Sequence, residues 1–310
     1  MRNWLSRHFQ GALPQTVGVY SGEAGVCLVK AEVPSGYRCI YQPPTPEAEQ
    51  PALLSAMQRL RALSPVAQRH VSLSVALDAD EVFVRPLTLP SGLSDDQVAQ
   101  IAIVEAVANL PVPPEEICLD FIRAGSVSDS DETVRLAFCR RERIDEILAQ
   151  AETAAVTVSV IDRDIQALHD ALVSEHGRLG LGAPFEYPFG IITQIKPRLL
   201  ICLSPNSFET YPIRISEITD AMAFDALRQQ VVTYWNRSCM LRADEQRPLS
   251  LVLLLDACGG ADRSMQSSSD GAPAFRRLAM SELQGAMLDD EVAPPLEARL
   301  IALGMAGRQL

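Results

Sequence analysis

The chain has 310 residues, 47% of them apolar and 21% charged, a composition typical of a folded protein long enough for two domains rather than of a disordered chain. Its formal net charge of −12 argues against a surface built to bind nucleic acid. No apolar run reaches the length of about 18 residues that a membrane-spanning helix needs, and the amino terminus lacks the apolar core of a signal peptide.

The first nine residues carry two arginines, Arg2 and Arg7, beside the apolar residues Trp4, Leu5 and Phe9. Cations and aromatic side chains on one short helix predict a weak contact with an anionic membrane surface. The alternative is a terminus that tucks Trp4 into a neighbouring groove. One short segment binds lipid only marginally, so we expect at most a weak membrane contact here.

The rest of the chain alternates predicted strands and helices around a Gly/Pro-rich segment at 177–190. Apolar residues with the period of a strand or of a helix define the elements, and the Gly/Pro-rich segment predicts a boundary between two lobes. Before it we predict strands over 17–20, 25–32, 38–41, 70–77, 81–87, 134–139 and 157–161, and helices over 48–63, 94–110, about 144–151 and 163–174. After it we predict a hairpin of 198–203 with 208–213, a helix over 219–235, a buried strand over 249–255, a loop over 264–273 and a last helix with Leu296, Leu300 and Leu303.

The segment 86–121 is the most distinctive part of the sequence. Leu89-Pro90 precedes a helix that opens on Leu93-Ser94-Asp95, a turn follows at Pro111-Val112-Pro113, and a second extended run ends in Leu119-Asp120-Phe121. This order of motifs resembles the small inserted subdomain of the PilM family, actin-like cytoplasmic proteins of type IV pilus assembly, and of the related HofM-type proteins of DNA-uptake systems. The last residues, 297–310, are similar to the terminal helix of that family.

The resemblance implies an actin-like, hexokinase-like α/β fold of two lobes. The two halves of strands and helices on either side of the Gly/Pro-rich segment conform to it. We accordingly expect a first lobe at 1–85 and 157–183, an inserted small α+β subdomain at 86–156, and a second lobe at 184–310.

The same resemblance implies a nucleotide site, because actin-like ATPases hold phosphates and hydrated Mg²⁺ on two hairpin turns of the Asp-x-Gly type. The first turn falls at Ser21, Gly22 and Glu23, where Tyr20 or Ser21 stands in place of the Asp. The second is expected at 204–206, which contains neither the Asp nor the Gly. Without these carboxylates Mg²⁺ loses its protein anchors.

A glycine pair, Gly259 and Gly260, stands where the family has its adenosine-side glycines. Such a pair after a buried strand also serves an ordinary tight turn. We therefore expect a degenerate nucleotide site, with ATP as a doubtful ligand, no other cofactor, and no enzymatic activity.

Other chemistries find little support in the sequence. Neither Lys30 nor Lys196 precedes the Ser or Thr of a Walker A loop, no His or Cys cluster has zinc spacing, and the seven scattered cysteines are typical of free thiols, so we expect neither a metal nor a disulfide framework. His169 is predicted on the outer part of a helix. Two interpretations fit Asp162 and Asp164. Either they form an acid pair at the crossing between the lobes, or Asp162 caps the following helix.

The helix at 94–110 has more apolar surface than its own sheet can cover. One stripe contains Ile103 and Val107, and a second contains Ile101 and Val104. Either the neighbouring lobe covers the second stripe, or it contributes to a groove for a partner peptide.

The resemblance implies a partner, because PilM-like proteins hold the short cytoplasmic tail of the membrane protein PilN in a groove between the first lobe and the inserted subdomain. By position, we expect this groove to involve Val84, Arg85, Leu87, Leu89, Ile101 and Val104. Pilus motor ATPases are further partners that the resemblance implies.

We therefore predict a non-enzymatic cytoplasmic adaptor at the inner face of the bacterial inner membrane. Two alternatives stay open. One is an active actin-like ATPase or sugar-kinase relative, which the missing phosphate-turn Asp residues disfavour. The other is the cytoplasmic part of an L-type component of a type II secretion system, which shares the fold but normally continues into a transmembrane helix.

Overall fold

A computed structural model describes residues 16–32, 36–44, 50–63, 71–126, 130–177, 179, 185–205, 207–214, 221–240, 249, 251–255, 273–278, 286–287 and 294–307. The predictions for residues 1–9, for Gly259 and Gly260, and for most of the loop at 264–273 lie outside these residues. Within them, two larger sheets and one smaller sheet define two lobes and an inserted subdomain.

The elements alternate along the chain as predicted, except for β9, β13 and β14, which the apolar pattern did not reveal. The strands are β1 (Thr16–Gly22), β2 (Gly25–Glu32), β3 (Gly36–Gln42), β4 (Ser72–Leu77), β5 (Phe83–Pro90), β6 (Ile117–Ser126), β7 (Asp131–Arg140), β8 (Thr157–Arg163), β9 (Phe189–Thr193), β10 (Arg198–Ser204), β11 (Ser207–Pro212), β12 (Leu251–Leu255), β13 (Ala274–Leu278) and β14 (Ala286–Met287). The helices are α1 (Ala52–Leu63), α2 (Asp95–Asn109), α3 (Arg141–Thr153), α4 (Asp164–Glu175), α5 (Ala221–Met240) and α6 (Leu296–Ala306), with a single 3-10 turn at Pro114–Glu116.

The two lobes repeat one strand order. The first sheet runs β14-β3-β2-β1-β4-β8 and the second runs β11-β10-β9-β12-β13. In each lobe three antiparallel strands are extended on one side by two parallel ones, and in the first lobe β14 adds a parallel strand at the other edge. The β1–β2 turn of the first lobe is therefore equivalent to the β9–β10 turn of the second.

Helix α6 is the centre of the molecule. All of its residues are buried, including Glu297 and Arg299, and it packs against β1, β2, β4 and α4. The approach is close because two glycines lie at the contacts. A Cβ atom on Gly18 of β1 would lie 1.8 Å from the Ala302 carbonyl oxygen, and one on Gly304 would lie 1.9 Å from the Ala167 carbonyl oxygen.

The end of the chain belongs to the first lobe, which corrects the prediction that 184–310 forms only the second. Strand β14 pairs in parallel with β3, and α6 packs on the first-lobe elements β1 and α4. Sequence order alone did not show this return, because the apolar face of α6 has no feature that distinguishes one lobe from the other.

The inserted subdomain is an antiparallel sheet of order β5-β7-β6 with α2 packed on one face. It begins at Phe83, earlier than the predicted boundary at 86. Helix α3 also departs from the predicted division, because its buried residues Ile147 and Ala151 join the apolar cluster of the first lobe. The subdomain proper therefore consists of residues 83–140, and α3 connects it back to the lobe.

Helix α2 begins where the sequence predicts. The Ser94 hydroxyl accepts the Gln97 backbone N–H at 3.3 Å, and the Ser94 backbone N–H donates to Gln97 Oε1 at 2.8 Å, which forms a capping box. No helix in the described part of the chain is long and apolar enough to cross a membrane.

Replacing Gly304 by Ala tests the packing of α6. The added methyl group would meet the backbone of α4, which cannot move without disturbing the core, so we expect a loss of about 3 kcal/mol or more in the free energy of unfolding. Gly177→Ala is the control, because a Cβ atom there has no neighbour within 4 Å; its effect should stay within about 0.5 kcal/mol. Urea unfolding measures both, and equal stabilities would contradict the close packing.

Candidate functional site

Two hairpin turns meet across the cleft between the lobes. The β1–β2 turn contains Glu23, and its equivalent in the second lobe, the β9–β10 turn, spans 194–197. The prediction of the second phosphate turn at 204–206 is wrong, because those residues join β10 to β11, one hairpin further along. The prediction failed because strand β9 was not recognised within its Gly/Pro-rich surroundings, so the first hairpin of the second lobe was assigned to β10 and β11.

The first turn lacks a phosphate-binding Asp, as the sequence predicts. Tyr20 is buried beneath it in the core, and a Cβ atom on Gly22 would lie only 2.5 Å from the Tyr20 hydroxyl oxygen. Ser21 is half-buried, and the side chain of Glu23 is largely exposed. The turn therefore contributes one carboxylate, that of Glu23, and this group lies at the solvent-exposed rim of the cleft.

The second turn is occupied from within the protein. Glu297 Oε2 of α6 accepts the backbone N–H groups of Gln194 at 2.9 Å and of Ile195 at 3.1 Å. In a nucleotide-binding turn such N–H groups are the ones that meet phosphate oxygens. Here a carboxylate of the chain itself takes their place as acceptor.

Burial of Glu297 has an electrostatic cost. Desolvation raises the pKa of this carboxyl from 4.5 to about 7, although the two N–H donors and Arg198 act in the opposite direction. A protein keeps a carboxyl group in such a place only when its hydrogen bonds are needed there. No sequence motif identified Glu297 as a site residue; the signal was a lone acid in the apolar sequence of the last helix.

Lys196, in the same turn, reaches across the cleft to the first lobe. Its ammonium group forms an ion pair with Asp78, and it lies 3.5 Å from Asp80 Oδ2 and 4.0 Å from Glu23 Oε1. The hydrogen bond that the Lys196 ammonium group donates to Asp78 is the main reason that the pKa of Lys196 lies above its ordinary value. Its charge is thus engaged by carboxylates of the first lobe.

A second, more buried link joins the lobes at Asp164. Arg198 donates to Asp164 Oδ2 at 2.6 Å, while Asp164 Oδ1 accepts the N–H groups of Ala79 at 3.0 Å and Ile165 at 2.6 Å. Burial raises the pKa of Asp164 even though Arg198 and the Ile165 N–H group oppose it. Asp164, and not a pair of acids, is the carboxylate at the crossing between the lobes.

Asp162 does not cap α4, contrary to one of the two predictions for it. The N-cap is Arg163, which makes no side-chain capping bond, and Asp162 Oδ1 accepts the Arg163 backbone N–H at 2.7 Å. The N-cap is one residue later than expected, and Asp164, the first residue of the helix, is the acid that is buried.

The cleft therefore holds two cations and a larger number of carboxylates. Lys196 and Arg198 are surrounded by the acids Asp78, Asp80, Asp164 and Glu23. A polyphosphate entering here would meet a net negative field. The described residues contain no group of three His, Cys, Asp or Glu that could hold a metal ion.

An open groove of about 670 Å³ lies beside the cleft, between the first lobe and the inserted subdomain. The β5-β7-β6 sheet forms one wall, the ends of β4 and β8 with α4 form the other, and Pro205 of the second lobe also lines the groove. Most of the lining residues are apolar, and the polar ones include three carboxylates, Asp120, Asp162 and Asp170. The lining residues are Leu77, Val82, Val84, Cys118, Leu119, Asp120, Phe121, Ile122, Arg135, Ala137, Phe138, Cys139, Ile144, Ile161, Asp162, Arg163, Gln166, Asp170 and Pro205.

Strand β6 presents its edge to this groove. Five consecutive residues, 118–122, line it, so residues from both faces of the strand border the cavity. Ile117 C=O accepts from Arg141 at 3.0 Å and Phe121 N–H donates to the Asp120 side chain at 2.8 Å. The main-chain groups of alternate residues, including Leu119, consequently point toward the outer edge, where a further strand can pair.

Only Val84 of the six predicted groove residues lines this groove. Leu87 and Leu89 pack with α2 on the opposite face of the sheet, and Arg85 donates to Asn109 Oδ1 of α2 at 3.1 Å. Side chains alternate between the faces of a strand, so the neighbours of Val84 point away from the groove.

The surplus stripe on α2 faces solvent. Ile101 is 39% exposed and Val104 is 69% exposed, so neither the neighbouring lobe nor the groove covers them. The buried face of α2 consists instead of Val98, Ala102 and Ala106, which the sequence stripes did not identify because two of them are small.

His169 is also placed differently from the prediction. It is 2% exposed, with Nε2 2.6 Å from the Tyr187 hydroxyl and Nδ1 2.9 Å from Asp170 Oδ1. The aromatic residues Tyr187, Phe189 and Phe208 cover this part of α4. These residues come from the second lobe, and the apolar periodicity of α4 alone cannot reveal a contact with another lobe.

Comparison with known proteins bears on both sites. The family model of the type IV pilus assembly protein PilM matches residues 47–179, the stretch that contains both long walls of the groove. This stretch of the chain resembles PilM. A solved PilM-PilN type IV pilus biogenesis complex matches it with 19% identity and a TM-score of 0.62, over 94% of this chain and 97% of that chain.

A component of a secretion system has a similar structure. The cytoplasmic domain of EpsL, an inner membrane component of the type II secretion system of Vibrio cholerae, is 9% identical with a TM-score of 0.52, over 96% of each chain. The predicted resemblance to PilM and the predicted actin-like fold are thereby confirmed.

Glu297→Gln tests the carboxyl group at the second turn through its pKa. A raised pKa in the folded state means that stability is fully present below pH 4.5 and declines as pH rises through about 7. The variant lacks this decline, so its stability relative to the parent should improve between pH 4.5 and pH 8. The gain should approach about 3 kcal/mol, at about 1.4 kcal/mol per pKa unit. Urea unfolding at both pH values measures it, and a difference independent of pH would contradict a buried carboxyl with a raised pKa.

Proposed function

We propose that the chain is an adaptor of a pilus or secretion machine, and that it holds the cytoplasmic tail of a PilN-like membrane protein in the groove beside the inserted subdomain. The observation that carries the proposal is the groove itself, because its two long walls fall within the residues that match the PilM family. The likeness to a PilM-PilN complex supports the same class of partner.

The walls suit an extended peptide. The edge of β6 offers outward main-chain groups near Leu119, and adding a strand there would extend the sheet to a fourth member. Asp120, whose side chain accepts the Phe121 N–H, protects this edge and would yield to a backbone carbonyl of the peptide. Val84, Ala137 and Ile122 supply apolar contacts along the floor.

An adaptor of this kind is recruited to the cytoplasmic face of the inner membrane by its partner. A tail at the amino terminus of a membrane protein would place the groove close to the bilayer. The chain itself is acidic, and an anionic surface repels such a body. We therefore propose that the partner, rather than lipid, provides most of the attachment.

We further propose that the cleft between the lobes serves to hold the lobes together and not to hydrolyse ATP. Glu297 already accepts from the second turn, and Lys196 and Arg198 already pair with acids of the first lobe. A nucleotide would have to replace these contacts and would bring further negative charge.

Calorimetry with Mg-ATP on metal-free protein tests this part of the proposal. We expect a Kd weaker than about 10 μM, which corresponds to less than about 7 kcal/mol of binding free energy. We also expect no phosphate release above that of buffer alone. Tighter binding or turnover would favour an active actin-like ATPase.

A matched pair of substitutions tests the position of the groove. Val84→Glu places a charge in the groove and should weaken binding of a synthetic PilN-like tail from the same organism at least tenfold. Val104→Glu makes the same change on the exposed face of α2 and should leave the Kd unchanged. Fluorescence anisotropy with a labelled tail measures both, and thermal melting shows that both variants fold.

Two results would refute this location. One is unaltered tail binding by folded Val84→Glu, supported by unaltered binding by Ala137→Leu, which narrows the floor without adding charge. The other is a loss of binding in Val104→Glu alone, which would place the partner on the exposed stripe of α2. Absence of any binding by the parent protein would refute the choice of partner.

A further inference from the structure

Asp120 lies at the middle of the five β6 residues that line the groove. It is exposed, and its neighbours Leu119 and Phe121 pack toward α2 on the other face of the sheet. Because side chains alternate between the faces of a strand, Asp120 projects from the groove face. Strand β7 places Ala137 directly across from it. The edge strand of the groove therefore carries a carboxylate on the side where a peptide would lie.

The Asp120 carboxylate is little used within the protein. Among the described residues it accepts the N–H of the adjacent Phe121 at 2.8 Å, and no cation pairs with it. The two oxygens of an ionised carboxylate can accept several hydrogen bonds. The other two carboxylates of the groove, Asp162 and Asp170, take part in more contacts within the protein. Asp120 is thus the carboxylate of the groove with most capacity for a ligand.

A strand added to β6 brings one of its residues directly opposite Asp120. The outward main-chain groups near Leu119 and Phe121 pair with the added strand, so the Phe121 N–H exchanges the Asp120 carboxylate for a peptide carbonyl. Directly opposed side chains lie on the same face, with Cβ atoms about 4.5–5.5 Å apart in an antiparallel pair. Opposite charges at such a position stabilise the pairing, and like charges destabilise it.

The surroundings of Asp120 suit a long cationic side chain. Cys118 and Ile122 lie two residues to either side on the same face, Ala137 lies across from it, and all three line the groove. The alkyl stem of lysine or arginine packs on such apolar surface while its charged end reaches a carboxylate. Arg135 is opposite Ile122 rather than Asp120, and it has an interaction of its own within the protein.

The charge of the chain favours the same kind of ligand. Its net charge of −12 attracts a cationic segment, and the groove itself is lined by three carboxylates against two arginines. Cytoplasmic segments next to a membrane-spanning helix carry an excess of lysine and arginine. The tail of a membrane protein on this side of the membrane therefore has the charge that complements the groove.

We propose that Asp120 receives a lysine or arginine of the bound tail, at the position directly opposite it in the strand added to β6, and that this pair sets the register of the tail. The proposal rests on the proposed function for the identity of the peptide. A slip by one residue moves the cation to the other face of the sheet, away from the carboxylate. Main-chain pairing and apolar contacts supply most of the affinity, and the ion pair selects one register.

Asp120→Asn tests the charge alone, because the asparagine side-chain oxygen still accepts the Phe121 N–H. It should weaken binding of the synthetic PilN-like tail about threefold to fivefold, the size expected for one cross-strand charge pair. Asp120→Lys opposes like charges and should weaken binding about tenfold or more. Replacing the basic residues of the tail by glutamate, one at a time, should identify one position that restores binding to Asp120→Lys. A merely structural role of Asp120 would give no such rescue. Fluorescence anisotropy measures each Kd.

Asp96→Asn is the matched control. It removes the same charge from the exposed first turn of α2, on the other face of the sheet, and its Kd should equal that of the parent. Raising the salt concentration from about 50 mM to about 500 mM should weaken binding by the parent more than binding by Asp120→Asn, because salt screens the charge pair that the variant lacks.

The outcomes separate this proposal from the proposed function. If Val84→Glu weakens binding while Asp120→Asn and Asp120→Lys bind as well as the parent, the groove is correct and the Asp120 pair is wrong. A tail that keeps its affinity after all its basic residues are replaced by glutamine overturns the pair in the same way. Failure of the parent to bind the tail contradicts the proposed function, and a second experiment then decides on Asp120.

This second experiment does not depend on the natural partner. The backbone amides of Leu119 and Phe121 are followed by NMR, in protein with isotope-labelled leucine and phenylalanine, during titration with the capped pentapeptides Val-Thr-Lys-Thr-Val and Val-Thr-Glu-Thr-Val. Saturable shifts are expected at an at least threefold lower concentration of the lysine peptide, roughly the size of one cross-strand charge pair. The preference should disappear in Asp120→Asn. Equal responses of the parent to both peptides, or no shift with either, would overturn the proposal.

Discussion

The Glu297 carboxylate on the backbone of the second-lobe turn is the interaction on which the rest of the structure depends. It places a hydrogen-bond acceptor of the last helix where an actin-like ATPase would receive phosphate. The helix can reach that position only because Gly18 and Gly304 allow backbone to touch backbone. Lys196 and Arg198 then pair with acids of the opposite lobe. The turn amides and the two cations of the cleft therefore have their partners within the protein.

A cleft held in this way gives the groove a fixed geometry. Gln166 of α4 donates to the Pro205 carbonyl at 3.0 Å, which ties the second lobe to the end of the groove. Arg163 lies over Phe208 at the same junction. The groove is thus lined by residues of the first lobe and the inserted subdomain, with Pro205 from the second lobe. A rigid junction lowers the entropy lost when an extended peptide binds.

Much of the fold could be predicted because its signals are local. Ser94 and Gln97 define a helix start, and the order of motifs at 86–121 carried the resemblance to PilM. The sites could be predicted only in part. Val84 was found, but its neighbours Arg85 and Leu87 point to the other face, a distinction that needs the strand register. Glu297 gains its role from the backbone N–H groups of Gln194 and Ile195, which lie far away in the sequence, so no spacing within one element can reveal it.

The central claim is that the groove, and not the cleft or the exposed stripe of α2, receives the partner as an added strand. Amide hydrogen exchange of the full chain, with and without a saturating PilN-like tail, tests it most directly. The account predicts strong new protection of the outward amides of β6 at Leu119 and Phe121, with little change in α2 around Val104 and in the turn at 194–197. Protection confined to α2 or to that turn, with β6 unchanged, would contradict it.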